Sequence, residues 1–166
     1  LIPQFEIIRE CVDAFKIPQI EIEGFEADDI IATYCKLAVK YKMESVIVSS
    51  DKDLMQLVNK NVSMFDPMKN KKIGIDQVIE KFGLPPEKVI QIQALTGDKV
   101  DNIPGAPGIG PKTALQLIEE FGDVNSLIKN ADKILQEKRR KVIIDHKEDI
   151  LISLELVKLK NDVDIT

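Results

Sequence analysis

Residues 45–53 read Ser-Val-Ile-Val-Ser-Ser-Asp-Lys-Asp, a β-branched apolar run that leads directly into two acids. Such a run is typical of a buried parallel strand, and a short helix is expected to follow it. Upstream, residues 17–22 alternate as a strand does, and residues 26–41 repeat apolar side chains at helical spacing. Strand, helix, strand and helix in this order predict an α/β fold.

An amphipathic helix is predicted ahead of this unit, over residues 4–15. Cys11 lies in this helix and Cys35 in the next, and both have apolar neighbours and no close-set partner cysteine. That spacing argues against a zinc site and against a disulfide framework. We expect both residues to be reduced thiols in the core.

The second part of the chain has a different character. Strand signals end with residues 62–66, and every later periodic segment predicts a helix. We therefore expect a core with a parallel sheet over residues 1–74 and an all-helical subdomain over residues 75–166. The predicted helices cover residues 76–82, 87–95, 111–121, 126–129 and 138–159, the last of them with a break.

Charge and hydropathy narrow the classes of function. The 166 residues carry a net charge of −5, and the acid excess lies in residues 1–66, which hold 12 acidic and 7 basic residues. An acidic chain is not the usual nucleic-acid binder, unless the excess acids have a separate task. No apolar stretch reaches the roughly 20 residues of a membrane span, and nothing at the start resembles a signal peptide. We expect a cytoplasmic protein.

Seven acids are placed where the predicted fold could gather them. Three lie in the first turn of a helix that starts at the carboxyl end of a strand, two directly follow the next strand, and two lie in the loop of residues 96–110. Ligands of open α/β sheets bind at the carboxyl ends of strands. Acids in a first helical turn and aspartates that cap a helix also occur for structural reasons alone. The seven residues are Glu26, Asp28, Asp29, Asp51, Asp53, Asp98 and Asp101.

Carboxylates that converge in this number would repel one another without a counter-charge. Hard oxygen ligands, with no histidine or cysteine among them, select Mg²⁺ or Mn²⁺ over zinc. Such a set can hold two ions about 3.5–4 Å apart for in-line phosphoryl chemistry. If the acids converge, they therefore predict two divalent ions and the chemistry of a nuclease or a phosphatase.

The segment Pro104-Gly-Ala-Pro-Gly-Ile-Gly-Pro-Lys-Thr-Ala114 lies between two predicted helices. It is not a nucleotide-binding P-loop, because Pro111 separates Gly110 from Lys112 and a helix precedes it in place of a strand. A glycine hairpin that enters a helix leaves backbone N–H groups free to hold a DNA phosphate without reading bases. A helix–helix turn without a ligand is the alternative, and the neighbouring Lys112 and Thr113 favour the phosphate.

Four motifs occur in a characteristic order: Gly24-Phe-Glu-Ala-Asp-Asp-Ile30, Ser50-Asp-Lys-Asp-Leu54, Thr96-Gly-Asp98 with Asp101-Asn-Ile-Pro-Gly105, and Gly108-Ile-Gly-Pro-Lys-Thr-Ala114. Together they resemble the 5′–3′ exonuclease domains of bacterial DNA polymerases I, which belong to the flap-endonuclease family. The resemblance spans essentially the whole chain. It implies a PIN-like α/β catalytic core, followed by a helical subdomain of the SAM-like type that grips duplex DNA with a helix-hairpin-helix element.

The resemblance also implies roles for individual residues in the hydrolysis of DNA near a 5′ end or flap. A first Mg²⁺ or Mn²⁺ ion would be held mainly by Glu26, Asp28 and Asp29, and a second by Asp51, Asp53, Asp98 and Asp101. The catalytic residues of this set would be Asp28, Asp29, Asp51, Asp53 and Asp98. The DNA backbone, and with it a K⁺ ion, would be held by the hairpin residues Gly105, Gly108, Ile109, Gly110, Lys112 and Thr113.

The family's first metal-binding aspartates and its basic helical arch have no counterpart in the chain, which starts at Leu1. We therefore expect a fragment of a longer protein, with a sheet that lacks its first strands and with weak or no activity by itself. The resemblance implies a parent at the nucleoid, in the bacterial cytoplasm, that serves DNA replication and repair and carries a linked polymerase domain.

Two other functions fit parts of the pattern. A non-catalytic duplex-DNA-binding module would use the hairpin and keep the acids without a metal. A PIN-type ribonuclease would share the acids, but it does not predict Gly108, Gly110 and Lys112. Metal binding separates the first alternative from a nuclease, and a comparison of DNA with RNA substrates separates the second.

Overall fold

A computed structural model describes residues 2–165, which form three β-strands and eight α-helices. The strands are β1 (Ser45–Val48), β2 (Val62–Asp66) and β3 (Lys71–Ile73). The helices are α1 (Ile2–Ala14), α2 (Ala27–Lys40), α3 (Ile75–Phe82), α4 (Val89–Thr96), α5 (Pro111–Phe121), α6 (Val124–Lys129), α7 (Glu137–Asp145) and α8 (Lys147–Val157). Short 3₁₀ turns cover Asp53–Leu57, Pro86–Lys88 and Ala131–Lys133. None of the helices described is long and apolar enough to cross a membrane.

The helices predicted from periodicity are all present, and the break predicted in the last one falls at His146, between α7 and α8. The α/β order that the run at residues 45–53 predicts is also confirmed. The strand β1 lies parallel to β2, with Ser45 opposite Val62. The fold is therefore a small sheet with helices, followed by a helical part.

One strand was not predicted. The strand β3 pairs antiparallel with β2, so the sheet is mixed, in the order β1-β2-β3. Its sequence, Lys-Lys-Ile, is too short and too polar to give a strand signal. It forms because a tight connection, in which Asn70 has a φ of 49°, returns the chain beside β2.

The strand β1 is covered on one face only. Ile47 is buried, whereas Val46 and Val48 are 60% and 66% exposed. The expectation of a fully buried strand is therefore wrong. The strand predicted at residues 17–22 is also wrong, because this extended segment pairs with no strand in the part of the chain that the structure describes. An alternating pattern becomes a strand only with a hydrogen-bonded neighbour.

Helix α1 forms as predicted, but its apolar face is not covered within residues 2–165. Phe5 is 56% exposed. A polar contact joins the helix to the segment that follows it, an ion pair of 2.7 Å between Arg9 Nη2 and Glu21 Oε2. Cys11 is consequently exposed, so its assignment to the core is wrong, whereas Cys35 in α2 is buried as predicted.

Two apolar cores organise the rest of the chain. One lies among the sheet, α2 and α3 and includes Leu54 and Met64, which are almost fully buried. The other is formed largely by α4, α5, α6 and α8 and includes Leu95 and Leu127. Phe82, the last residue of α3, packs against both cores. The α/β part and the helical part therefore pack directly on each other.

The residues after α8 form a strap over α2. The backbone N–H of Lys160 donates to Asp29 Oδ1 at 2.8 Å, and that of Val163 donates to Thr33 Oγ1 at 3.2 Å. Val163 is itself buried. The first two turns of α2 are thus held by the C-terminal strap.

The loop between α4 and α5 folds back on itself at two glycines. Gly105 has a φ of 61°, and a Cβ added there would lie 2.4 Å from the backbone nitrogen of Gly97. The backbone N–H of Gly105 donates to Ser153 Oγ of α8 at 2.9 Å, in a buried position. The positive φ and the close approach together require glycine at residue 105.

Replacing Gly105 with alanine should destabilise the protein strongly. We expect Gly105→Ala to lower the free energy of unfolding by about 3 kcal/mol, because the new Cβ meets backbone atoms and φ is strained. Gly122→Ala is the matched control, since Gly122 has a φ of 90° but nothing within 4 Å of an added Cβ. We expect it to cost about 1 kcal/mol. Urea unfolding measures both, and equal losses would contradict the close packing of the two loop glycines.

Candidate metal and nucleic-acid site

Asp51 and Asp53 follow β1 at its carboxyl end, where the sequence predicts them. Asp51 Oδ1 accepts the backbone N–H of Asp53 at 2.9 Å, which makes a local Asx turn immediately before the 3₁₀ turn Asp53–Leu57. Asp53 Oδ1 accepts a hydrogen bond from Gln93 Nε2 of α4. The local turn therefore accounts for one oxygen of Asp51 and does not account for the carboxylate of Asp53.

The acids Glu26, Asp28 and Asp29 lie at the start of α2. Glu26 is the N-cap residue, yet its side chain makes no capping hydrogen bond within the described chain. Asp28 is partly buried, and its pKa is raised to about 6, first by burial and then by the negative charges of Asp51 and Asp53. The acids of α2 and those after β1 are thus close enough to repel each other.

Asp53 is subject to the same repulsion. Burial and the charge of Asp51 raise its pKa, and the charges of Asp101 and Asp98 act in the same direction, although nearby Lys52 opposes them. A carboxylate whose ionised form is disfavoured by other carboxylates gains from a bound cation. The three groups of acids are therefore coupled through Asp53.

Asp98 differs from the other acids because a lysine neutralises it. Lys52 Nζ lies 2.5 Å from Asp98 Oδ2, and Asp98 Oδ1 accepts the backbone N–H of Val100 at 2.8 Å. The hydrogen bond from Lys52, together with the backbone hydrogen bonds, holds the pKa of Asp98 below its ordinary value. Asp101 is exposed, on the short turn closed by the bridge between Asp98 and Ile103.

These acids are near one another but are not assembled around an ion. Among residues 2–165, no three acid, histidine or cysteine side chains lie in a geometry that could hold a metal. The donor set nevertheless fits Mg²⁺ or Mn²⁺, because it consists of carboxylate oxygens that repel one another. Gln93 adds an uncharged oxygen, since its Oε1 is buried and has no hydrogen-bond partner in the described chain. A buried acceptor without a partner beside Asp53 is consistent with a missing ion or water.

Gln93 was not predicted to belong to the site. It lies on a buried stretch of α4 between Ile92 and Ala94, and it is only 9% exposed. A polar side chain within an apolar stretch is the one signal in the sequence that could have identified it. Its partner, Asp53, is 40 residues away, and no local pattern indicates that contact.

The glycine hairpin lies at the N-terminus of α5. Gly108 has a φ of 76°, Gly110 is the N-cap residue of α5, and nothing lies within 4 Å of a Cβ built on either glycine. Within the described residues, the backbone N–H groups of Gly108, Gly110 and Lys112 have no acceptor. Free N–H donors at a helix N-terminus, with an exposed lysine beside them, are what an anion site requires.

The other predicted hairpin residues do not contribute to the open side of the hairpin. Gly105 and Ile109 are buried, and Ile109 packs in the core of the helical part. The backbone N–H of Thr113 donates to the carbonyl oxygen of Gly110 at 3.0 Å. These three residues shape the hairpin and leave its open side to the other glycines and the lysine.

A cleft of about 460 Å³ reaches from two of the acids to the start of α5, directly after the hairpin. Its walls include Lys52, Asp53 and Asp98 from the acidic site and Pro111 and Lys112 from the start of α5. The two features predicted from separate motifs therefore lie on one continuous surface, between the α/β part and the helical part.

Two family models cover this chain. The 5′-3′ exonuclease N-terminal resolvase-like domain matches residues 1–83, and the 5′-3′ exonuclease C-terminal SAM fold matches residues 84–166. The chain belongs to the 5′-3′ exonuclease family. The resemblance inferred from the four motifs is confirmed, and so is the fold class of an α/β core followed by a SAM-like helical subdomain.

Named relatives agree with this assignment. DNA polymerase I of Rhizobium leguminosarum is 59% identical over 163 residues, which are 98% of this chain and 16% of that protein. The 5′-3′ exonuclease of Aquifex aeolicus (strain VF5) is 41% identical, over 98% of this chain and 55% of that protein. The bacteriophage T5 flap endonuclease, in a pseudo-enzyme-product complex with DNA and metal ions, is 28% identical with a TM-score of 0.84, over 92% of this chain and 57% of that one. The chain thus spans between 16% and 57% of the length of these proteins.

Replacing Asp28 with asparagine should stabilise the metal-free protein at pH 8. Its pKa is about 6 in the folded chain, above the ordinary value of 3.8, so the folded state binds more protons than the unfolded state between these values. The stability of the wild type therefore falls as the pH rises through this window. We expect Asp28→Asn to gain about 1 kcal/mol at pH 8, which is less than the full shift implies because solvent screens a partly exposed carboxyl.

Urea unfolding in EDTA at pH 8 and at pH 4 measures this gain, which should nearly disappear at the lower pH. Glu44→Gln is the matched control, because Glu44 is exposed and lies outside the acidic site. Two results would contradict the repulsion described above. One is a gain in the free energy of unfolding at pH 8 that is the same for Asp28→Asn and Glu44→Gln, and the other is a gain for Asp28→Asn that is as large at pH 4 as at pH 8.

Proposed function

We propose that the chain is the metal-dependent nuclease part of a bacterial DNA polymerase I or of a free-standing 5′-3′ exonuclease, and that it hydrolyses DNA phosphodiesters near 5′ ends and flaps. The observation that carries this proposal is the cleft that Asp53 and Asp98 share with Pro111 and Lys112, at the start of α5 directly after the hairpin. The charges of Asp51 and Asp53 also act on Asp28, whose pKa they raise together with burial. Repelling acids alone would fit a phosphatase, and a hairpin alone would fit a DNA-binding module. A nuclease needs both on one surface.

Two divalent ions, Mg²⁺ or Mn²⁺, would occupy the acidic site. Bound there, they supply an activated water and stabilise the charge that develops on the phosphate. A cation between the acids would also relieve the repulsion that raises the pKa of Asp28 and of Asp53. We assign the first ion to Glu26, Asp28 and Asp29, and the second to Asp51, Asp53, Asp98 and Asp101.

Three contacts would prepare these carboxylates before any ion binds. The backbone N–H of Lys160 fixes the side chain of Asp29, and Gln93 Nε2 fixes that of Asp53. Lys52 takes the place of a cation beside Asp98. Lys52 lines the cleft, so its ammonium group would also be in reach of a DNA phosphate there.

The hairpin would hold the duplex by its backbone, away from the reacting phosphate. The free N–H groups of Gly108 and Gly110 and the ammonium group of Lys112 suit a phosphate, and the hairpin carbonyl groups would hold a K⁺ ion. Contacts of this kind position a duplex without reading its sequence. The substrate would therefore be selected by its structure.

The parent protein would act in DNA replication and repair in the bacterial cytoplasm, at the nucleoid. The similarity to a DNA polymerase I supports a linked polymerase domain.

Calorimetric titration with Mn²⁺ tests this function. The wild-type chain should bind Mn²⁺ at pH 7.5, and Asp51→Ala and Asp98→Ala should each weaken the affinity about tenfold, since each removes a hard oxygen ligand. Asp132→Ala is the matched control, because Asp132 is exposed and lies outside the acidic site. It should leave the affinity unchanged.

A different outcome would support the non-catalytic alternative. The ion pair between Lys52 and Asp98 favours that alternative, because it satisfies one carboxylate without a metal. If the chain binds duplex DNA, and neither aspartate substitution changes its affinity for Mn²⁺, the nuclease proposal is wrong and the chain is a duplex-binding module.

A further inference from the structure

Lys81 in the last turn of α3 stands where two clefts meet. It lines the cleft of about 460 Å³ together with Asp53 and Asp98. It also lines a second cleft, of about 290 Å³, together with Asp66 and Lys69. The roles given above to the acids and to the hairpin use neither this lysine nor the second cleft.

Lysines beside Lys81 have carboxylate partners, whereas Lys81 has none. In the second cleft, Lys69 Nζ lies 3.7 Å from Asp66 Oδ2, and Lys71 Nζ lies 3.8 Å from Glu80 Oε2. Across the residues that the structure describes, no carboxylate lies within ion-pair distance of Lys81. Its ammonium group lies 5.4 Å from the ring centre of the adjacent phenylalanine of α3. The charge of Lys81 is therefore available to a ligand.

The surroundings of this ammonium group favour an anion. Burial lowers the pKa of Lys81 most, and the positive charges of Lys69 and Lys52 lower it further. Asp53 and Asp51 oppose these effects in the metal-free chain. Cations bound to the acids would cancel that opposition, so that Asp53 and Asp51 would no longer offset the positive charges of Lys69 and Lys52 at Lys81. A phosphate group would then be the complementary ligand.

We propose that Lys81 binds a phosphodiester of the DNA strand that enters the acidic site. This inference rests on the proposed function, because it requires DNA in the larger cleft. Lys81 is a binding residue in this account, since its ammonium group contacts the DNA backbone and does not take part in bond cleavage.

Salt-dependent binding of 5′-flap DNA tests the inference. Fluorescence anisotropy is measured with Ca²⁺ in place of Mg²⁺ at several KCl concentrations between 50 and 200 mM. Lys81→Met removes the charge and keeps an apolar stem against the neighbouring ring. We expect it to weaken binding about fivefold at 100 mM KCl and to reduce the slope of log K against log salt by about 0.9, the loss of one phosphate contact. Lys81→Arg should restore both values.

Lys72→Met is the matched control, because Lys72 is exposed on β3 and alternation turns it away from the second cleft that Lys71 and Ile73 line. It should change neither value. Lys112→Met, measured in the same way, tests the hairpin independently.

The outcomes separate this inference from the proposed function. A loss with Lys81→Met that Lys72→Met does not share supports the inference. If Lys81→Met behaves like Lys72→Met while Lys112→Met weakens binding, the inference is wrong and the proposed function stands. If the wild-type chain does not bind the flap DNA, both are wrong.

Discussion

Repulsion among carboxylates is the constraint on which the arrangement of this chain depends. Asp28, Asp51 and Asp53 come from two places in the α/β part, and burial, followed by the charges of Asp51 and Asp53, raises the pKa of Asp28 to about 6. Because the folded state holds these carboxylates close together, their ionisation at neutral pH lowers the free energy of unfolding. Hydrogen bonds from other parts of the chain stabilise two of the carboxylates, since Gln93 Nε2 donates to Asp53 and the backbone N–H of Lys160 donates to Asp29.

The residues that make these contacts belong to the helical part of the chain. Gln93 lies on α4, Asp98 lies in the loop after it, and Lys160 lies in the strap after α8. The acids on the α/β side are therefore held in place by residues distant in sequence. Phe82 packs against both cores, so the two parts are in direct contact. In the function we propose, the hairpin and the acids could then act on one DNA molecule.

The sequence predicts well what depends on local pattern. Helical periodicity is enough to predict α2 and the helices of the second part, and the β-branched run is enough to predict β1 as a parallel strand. Four motifs in a characteristic order are enough to predict the family, which the family models confirm. Local pattern mispredicts a segment whose structure depends on a tertiary partner. Residues 17–22 alternate as a strand does, but no neighbouring strand pairs with them among the described residues. Cys11 has apolar neighbours in sequence, but within the described residues it is exposed.

The same limit applies to the candidate site. The seven acids could be named from their positions after strands and in a Gly-Pro loop, and their roles as ligands remain predictions. Gln93 and Lys81 could not be named, because each matters through contacts with residues far along the chain. The pairing of Lys52 with Asp98, 46 residues away, likewise follows from tertiary packing.

Paramagnetic broadening by Mn²⁺ tests the central claim, that acids from both parts of the chain form one cation site, most directly. In ¹H–¹⁵N spectra of the labelled 166-residue chain, substoichiometric Mn²⁺ should broaden the backbone amide signals of Asp28, Asp51, Asp53 and Asp98 first. The amide signals of α6 and α7, which contribute none of the seven acids, should stay sharp. Broadening confined to one of the acid groups, or spread evenly over the surface acids, would contradict the account.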